Sequence, residues 1–148
     1  MAEHASEKIT VEASVEACYA VLLEFEQYPE WVPDLKAITV VERDDQGRGA
    51  VVEFRAAAMG KSTTYQLRYD YEGAPNRLAW TLEKGDVERS IDGAYLLADS
   101  GDGATEVTYE LSIELVIPLL GFVKRRAEER IIRAALPQLK ARVEASAG

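Results

Sequence analysis

Hydrophobic and polar positions change period twice along the chain. Cys18, Val21, Leu22 and Phe25 recur at helical spacing, with Ser14 placed as an N-cap and Glu16 in the first turn. Pro29 limits how far that helix runs, and Ile9–Glu12 precedes it as a short strand. From Lys36 to Ile117 the period is two. Tyr65, Leu67, Tyr69 and Tyr71 alternate with polar residues, as do Val107, Tyr109, Leu111, Ile113 and Leu115. Weaker alternation predicts four more strands near 36–43, 50–58, 77–84 and 87–98. Turn chemistry separates them: DDQGRG, MGKS, EGAPN, KGD and SGDGA. Over Leu119–Val143 the helical period returns, with Leu120, Val123, Ala127, Ile131, Ala134, Ala135, Leu139 and Val143 near one face. Pro137 is expected to bend this helix.

The predicted order is therefore strand, helix, six strands, long helix. Strands with one apolar face and short connections form an antiparallel meander covered on one side. The terminal helix, roughly 35–40 Å long at 1.5 Å per residue, is the one element able to cover it. The fold class is α+β: a curved, seven-stranded antiparallel sheet wrapped on a long C-terminal helix. Residues 1–148 read as one domain, with 1–7 as a frayed tail.

Composition narrows the chemistry. The 148 residues are 47% hydrophobic and 29% charged, as in an ordinary soluble globule. A net charge of −9 argues against a nucleic-acid partner. The single cysteine, Cys18, excludes an intrachain disulfide and a thiolate metal site, and it sits on the apolar face of the first helix. The single histidine, His4, lies in the expected tail, so a Ser/His/Asp or Cys/His set is not available. Phosphate-binding glycine motifs are absent from the sequence, and no metal or other cofactor is expected. MAEHASEK does not read as a secretion signal, and no window approaches a membrane span. A soluble cytoplasmic protein without stable membrane insertion is the expectation. Nothing in the pattern sets an oligomeric state.

Between the first helix and the second strand stands EFEQYPEWVPDLK, apolar and stiffened by Pro29 and Pro33 where a plain connector would be polar. With the element order, YPEWVP at Tyr28–Pro33 resembles the helix-grip superfamily of START-type lipid-transfer domains, birch-pollen-allergen-like proteins and polyketide cyclases (SRPBCC). The chain is most similar to the bacterial polyketide cyclase/dehydrase-like branch, near the coenzyme Q-binding proteins. It departs from the latter at Asp34 and Leu35, where those proteins tend to carry an aromatic and a cysteine. The resemblance spans about Ile9 to Val143. It implies a cavity between sheet and long helix, with Tyr28 and Trp31 at one end, either closing its rim or capping the core.

The inward phase of the strands then supplies the candidate ligand-binding set: Trp31, Phe54, Ala56, Tyr65, Tyr69, Trp80, Arg89, Tyr95 and Tyr109, with Ile131 from the helix. Ala56, Ala58 and Gly93 are small where a filled core wants bulk, and five tyrosines share the apolar phase. Such a wall suits an apolar small molecule or lipid with a few oxygens. Arg89 shares the phase of Ile91 and Tyr95, and either meets a ligand oxygen or pairs with Glu83 or Asp86. No Asp or Glu falls on the inward phase, so a general base is missing. Residues 124–142 hold seven basic and two acidic residues, against ten and 24 elsewhere. This basic helix reads as a solvated face with i,i+4 pairs, or as a contact for phosphate, lipid headgroups or an acidic partner. The leading expectation is a carrier of an apolar molecule without turnover. The alternatives are a polyketide aromatase/cyclase or dehydrase using cavity tyrosines, and a protein- or ribosome-interaction module acting through the basic helix.

Overall fold

The computed structural model describes residues 4–58, 61–117 and 120–147, with 58 and 147 described by backbone only. In chain order the elements are β1 (Ala5–Val11), α1 (Val15–Leu23), a 3₁₀ helix (Phe25–Glu30), β2 (Leu35–Arg43), β3 (Gly49–Ala58), β4 (Lys61–Asp70), β5 (Arg77–Gly85), β6 (Glu88–Gly101), β7 (Ala104–Leu115) and α2 (Gly121–Ala147). The seven strands form one curved antiparallel sheet in the order β1-β7-β6-β5-β4-β3-β2. This is the expected helix-grip arrangement. Consecutive strands from β2 to β7 are neighbours because tight turns join them. In the first, the Asp44 carboxylate accepts from the amides of Gln46 and Arg48 at 2.9 Å each, while Gly47 takes a left-handed φ of 81°. The MGKS turn lies outside the described residues at its Met59 and Gly60.

Three sequence expectations need correction. The chain from Ala5 to Glu7 is not a frayed tail: β1 begins at Ala5, which pairs with Leu111, and runs in register to Val11 opposite Thr105. The long β7 supplies ladder partners for residues whose own alternation is too weak to announce a strand. Second, α2 runs from Gly121 to Ala147, past the expected end at Val143, with Pro137 inside it as expected. Third, its buried face is Glu128, Ile132, Ala135, Leu136, Leu139 and Val143, whereas Ile131 is 41% exposed. Ile131 therefore lies beside the covered stripe and not within it. Two apolar stripes interleave on this helix, and a charged residue, Glu128, sits in the one that packs.

Ser14 caps α1 by accepting from Ala17 N at 3.1 Å, so Cys18 and Leu22 face the interior, both fully buried. Burial also raises the Cys18 thiol pKa, which keeps it protonated and inert. α2 packs chiefly on β1, β7 and α1. Side-chain ties fix it there: Lys140 Nζ donates to Thr10 O at 2.8 Å, Glu144 accepts from Glu12 N at 2.8 Å, and Arg133 meets Glu7 at 3.2 Å. The long helix thus covers one side of the concave face. Aromatic groups from the 3₁₀ helix reach the other.

Candidate functional site

A chain of rings crosses the concave face. Trp31 lies 5.0 Å from Tyr28 between centroids, Tyr28 lies 5.6 Å from Phe25, and Phe25 lies 4.6 Å from Tyr69 on β4. Tyr69 meets Trp80 at 5.9 Å, and Trp80 meets Tyr95 and Tyr109 at 5.5 and 5.8 Å. Tyr95 and Tyr109 stand only 4.5 Å apart, and Phe54 stacks on Tyr65 at 5.5 Å. Eight of the ten residues expected at the site therefore share one face: Trp31, Phe54, Tyr65, Tyr69, Trp80, Tyr95 and Tyr109 in the ring network, and half-buried Ala56 beside it on β3. Arg89 and Ile131 do not join them.

The tyrosine hydroxyls divide into two kinds. Tyr28 donates to Leu22 O at 2.5 Å, satisfying a carbonyl at the end of α1, and Tyr71 donates to Gly49 O at 2.6 Å. Those two are structural. By contrast, the hydroxyls of Tyr65, Tyr69, Tyr95 and Tyr109 have no hydrogen-bond partner among the described residues, yet none is sealed from water-sized space. A buried hydroxyl ordinarily finds a partner, and these four stand without a protein partner on one largely apolar wall. Burial raises the pKa of all four well above the ordinary phenol value, with Glu88 adding to the effect at Tyr65. They remain neutral at physiological pH, able to donate and accept but not to act as phenolate bases.

The junction aromatics turn out to be covered. Tyr28 and Trp31 are 6% and 5% exposed, so they cap this end of the core and do not stand open at a rim. Trp31 Nε1 is buried without a partner among the described residues. Gly93 also has a different purpose from the one expected. It pairs across the ladder with Trp80, and a Cβ placed on it would lie 2.5 Å from the indole ring. The missing side chain seats Trp80 and leaves no void. The side chain of Ala58 lies outside the described residues.

Arg89 is exposed because β6 opens with a bulge: Glu88 pairs with Leu115 and Ser90 with Glu114, leaving Arg89 as the extra residue. The bulge shifts the phase by one, so Glu88 takes the inner position and is buried. Neither Glu83 nor Asp86 pairs with Arg89; Glu83 forms its ion pair with Arg68 at 2.9 Å. The expectation of an acid-free interior is therefore wrong twice. Glu88 Oε2 accepts from Thr63 Oγ1 at 2.9 Å, beside Tyr65. Glu128, 1% exposed, accepts at Oε2 from Lys124 Nζ at 2.5 Å and from Ile113 N at 2.7 Å.

A concavity of about 810 Å³ is lined mainly by the opposite phase of β4–β7, including Arg68, Asp70, Arg77, Asp92 and Glu110, and it also reaches Tyr69, Trp80 and Gly93. Its cations are tied to acids, Arg77 to Asp70 at 3.2 Å and Arg68 to Glu83. Such a charged, internally neutralised surface does not suit an apolar guest. Among the described residues no His, Cys, Asp and Glu cluster could hold a metal, and no helix is long and apolar enough to cross a membrane.

Sheet, gripping helix and aromatic wall together define a START-type helix-grip domain. The chain belongs to the family described as polyketide cyclase/dehydrase and lipid transport, whose model matches residues 2–144. No curated protein sequence matches it significantly. Among solved structures, a START superfamily protein from Mycobacterium smegmatis is similar with a TM-score of 0.90 at 23% identity, covering 97% of this chain and 98% of that one. The Zhui aromatase/cyclase from Streptomyces sp. R1128 is similar with a TM-score of 0.79 at 18% identity, covering 97% and 94%. A protein from Thermus thermophilus gives 0.80 at 22% identity, covering 98% and 99%. At these identities the likeness is one of fold.

Proposed function

We propose that the protein binds and carries an apolar small molecule or lipid against the concave face of the sheet, without converting it. The observation that carries this reading is the set of four open hydroxyls, on Tyr65, Tyr69, Tyr95 and Tyr109, set in an otherwise apolar wall. A guest burying on the order of 300 Å² of apolar surface would gain roughly 7 kcal/mol before ordering costs. The hydroxyls would fix its orientation through a few oxygens. Their neutrality favours binding over proton transfer, because a phenol with a raised pKa is a poor base at neutral pH.

A second reading, a polyketide aromatase/cyclase, draws support from the Glu88–Thr63–Tyr65 cluster, which places a carboxylate on the inner face. The third, a protein- or ribosome-interaction module, draws less. Lys124, Arg133, Lys140 and Arg142 of the basic helix are engaged by Glu128, Glu7, Glu144 and Glu30.

Native mass spectrometry of the purified chain, with saturable uptake of Nile red and its displacement by a lipid extract, tests the carrier. A copurifying apolar molecule, or dye binding weakened by Tyr109→Phe, is expected. Absence of both defeats the proposal, and chemical change of an added polyketide-like substrate replaces it with the second reading.

A further inference from the structure

One end of the molecule differs from the rest of its surface. Six of the eight large hydrophobic side chains left exposed among the described residues gather there: Val87, Val116, Ile117, Leu120, Phe122 and Val123. They come from the β5–β6 turn, the end of β7 and the start of α2. The turn and the strand end are joined by Val116 N donating to Val87 O at 2.8 Å. Ile117, Leu120 and Phe122 are 78%, 68% and 63% exposed, so they protrude into solvent and do not line a groove. A soluble surface rarely gathers so many apolar groups without a use for them.

Charge at this end is distributed with them. Lys61 at the start of β4, Arg89 on the β6 bulge and Arg126 on α2 are exposed and have no acidic partner among the described residues. Asp34 and Asp86 are exposed acids nearby, the latter accepting from Thr64 N at 3.0 Å, and Glu114 is paired with Lys124 at 3.8 Å, so the two acids unpaired among the described residues are fewer than the three cations. At the far end, the turns and the strand residues beside them carry Asp45, Glu72, Asp99 and Asp102, with Asp44 and Asp70 paired to Arg48 and Arg77. The chain as a whole is acidic, yet it turns protruding apolar groups and unpaired cations the same way.

We infer that this end docks reversibly on an anionic lipid bilayer, inserting Ile117, Leu120 and Phe122 among the headgroups while Lys61, Arg89 and Arg126 meet lipid phosphates. Insertion of a few apolar side chains is marginal alone, and so is attraction by a few cations; together they give a usable surface affinity. The acidic turns at the other end repel the same membrane and so set the orientation. A folded protein partner would ask for a shaped recess or a flat face, and the most exposed of these side chains offer neither. Docking goes beyond the carrier reading and does not depend on it, since it is read without any cargo.

The test is cosedimentation of the full chain with phosphatidylcholine vesicles, with and without phosphatidylglycerol, at low and high salt. Binding is expected with the anionic vesicles, weakened by salt. Arg126→Gln should reduce it about fivefold, and Phe122→Ser roughly tenfold. Both sites are exposed, and thermal unfolding should confirm that both variants stay folded. Failure to bind either vesicle overturns the proposal, as does binding that neither substitution alters. Concentration-dependent dimerisation removed by Phe122→Ser, without vesicle binding, would assign the patch to self-association and equally overturn it.

Discussion

Two tyrosines in the same wall carry opposite consequences. Removing the hydroxyl of Tyr28 leaves the Leu22 carbonyl buried without its 2.5 Å donor, so Tyr28→Phe should destabilise the fold by about 1–2 kcal/mol. Removing that of Tyr109 deprives no protein group, so Tyr109→Phe should leave urea unfolding within about 0.5 kcal/mol of the parent while weakening guest binding. Equal losses in the two variants would mean that the open hydroxyls are structural after all. Gly93 offers a test of another kind. A methyl group there would meet the Trp80 ring at 2.5 Å and push the indole from its seat. Gly93→Ala should therefore cost about 1–3 kcal/mol and shift tryptophan fluorescence, where a glycine lining empty space would accept alanine without loss.

At the scale of elements, Glu128 links helix to sheet. β1 ends its pairing with β7 at Ala5 opposite Leu111, so the Ile113 amide lies beyond the last ladder rung. The Glu128 carboxylate takes that amide at 2.7 Å and holds Lys124 as well. Glu128→Ala would leave a part-buried amide unpaired and take from the mostly buried Lys124 ammonium its nearest acid, leaving it Ser112 Oγ at 3.2 Å and Glu114 at 3.8 Å, a loss of about 2–3 kcal/mol. Hydrogen exchange should show it locally, with the Ile113 amide and the first turns of α2 losing protection before the rest of the sheet. Protection unchanged there would refute the link. The same glutamate explains why α2 was only partly legible in the sequence. Periodicity identified the helix and its Ala135, Leu139 and Val143, because those residues belong to the packed stripe. It chose Ile131 over Ile132 because no hydropathy pattern places a carboxylate in a core. The strands show the same division. Alternation located all six strands after α1, and it put Tyr65, Tyr69, Tyr95 and Tyr109 on one face, since period two is a property of each strand alone. It failed at Arg89, where a bulge inserts one residue and reverses every inference that depends on phase. Bulges and ladder-end contacts are agreements between two segments, and a single segment does not record them.

At the scale of the whole molecule, the aromatic wall makes the fold sensitive to alkali. Burial raises the pKa of Tyr28, Tyr69, Tyr95 and Tyr109 above the value of about 10 that an unfolded chain gives a phenol. The unfolded state then holds fewer protons than the folded one at high pH, so stability falls as pH rises. Below pH ~10 the two states hold these protons equally, and the contribution is complete. Above it, each buried tyrosine removes about 1.4 kcal/mol per pH unit until the folded group itself ionises. Four such groups remove roughly 5–6 kcal/mol per unit, comparable to the whole stability of an ordinary domain. The protein should therefore unfold cooperatively within about one to two units above pH 10, with tyrosinate absorbance and loss of far-ultraviolet circular dichroism appearing in one step. A guest bound against the wall stabilises only the folded state and should move that step to higher pH. Gradual ionisation of most tyrosines near pH 10 with the dichroism intact would mean that the wall stands open to solvent, and the concave face would then lack the desolvation on which guest binding depends.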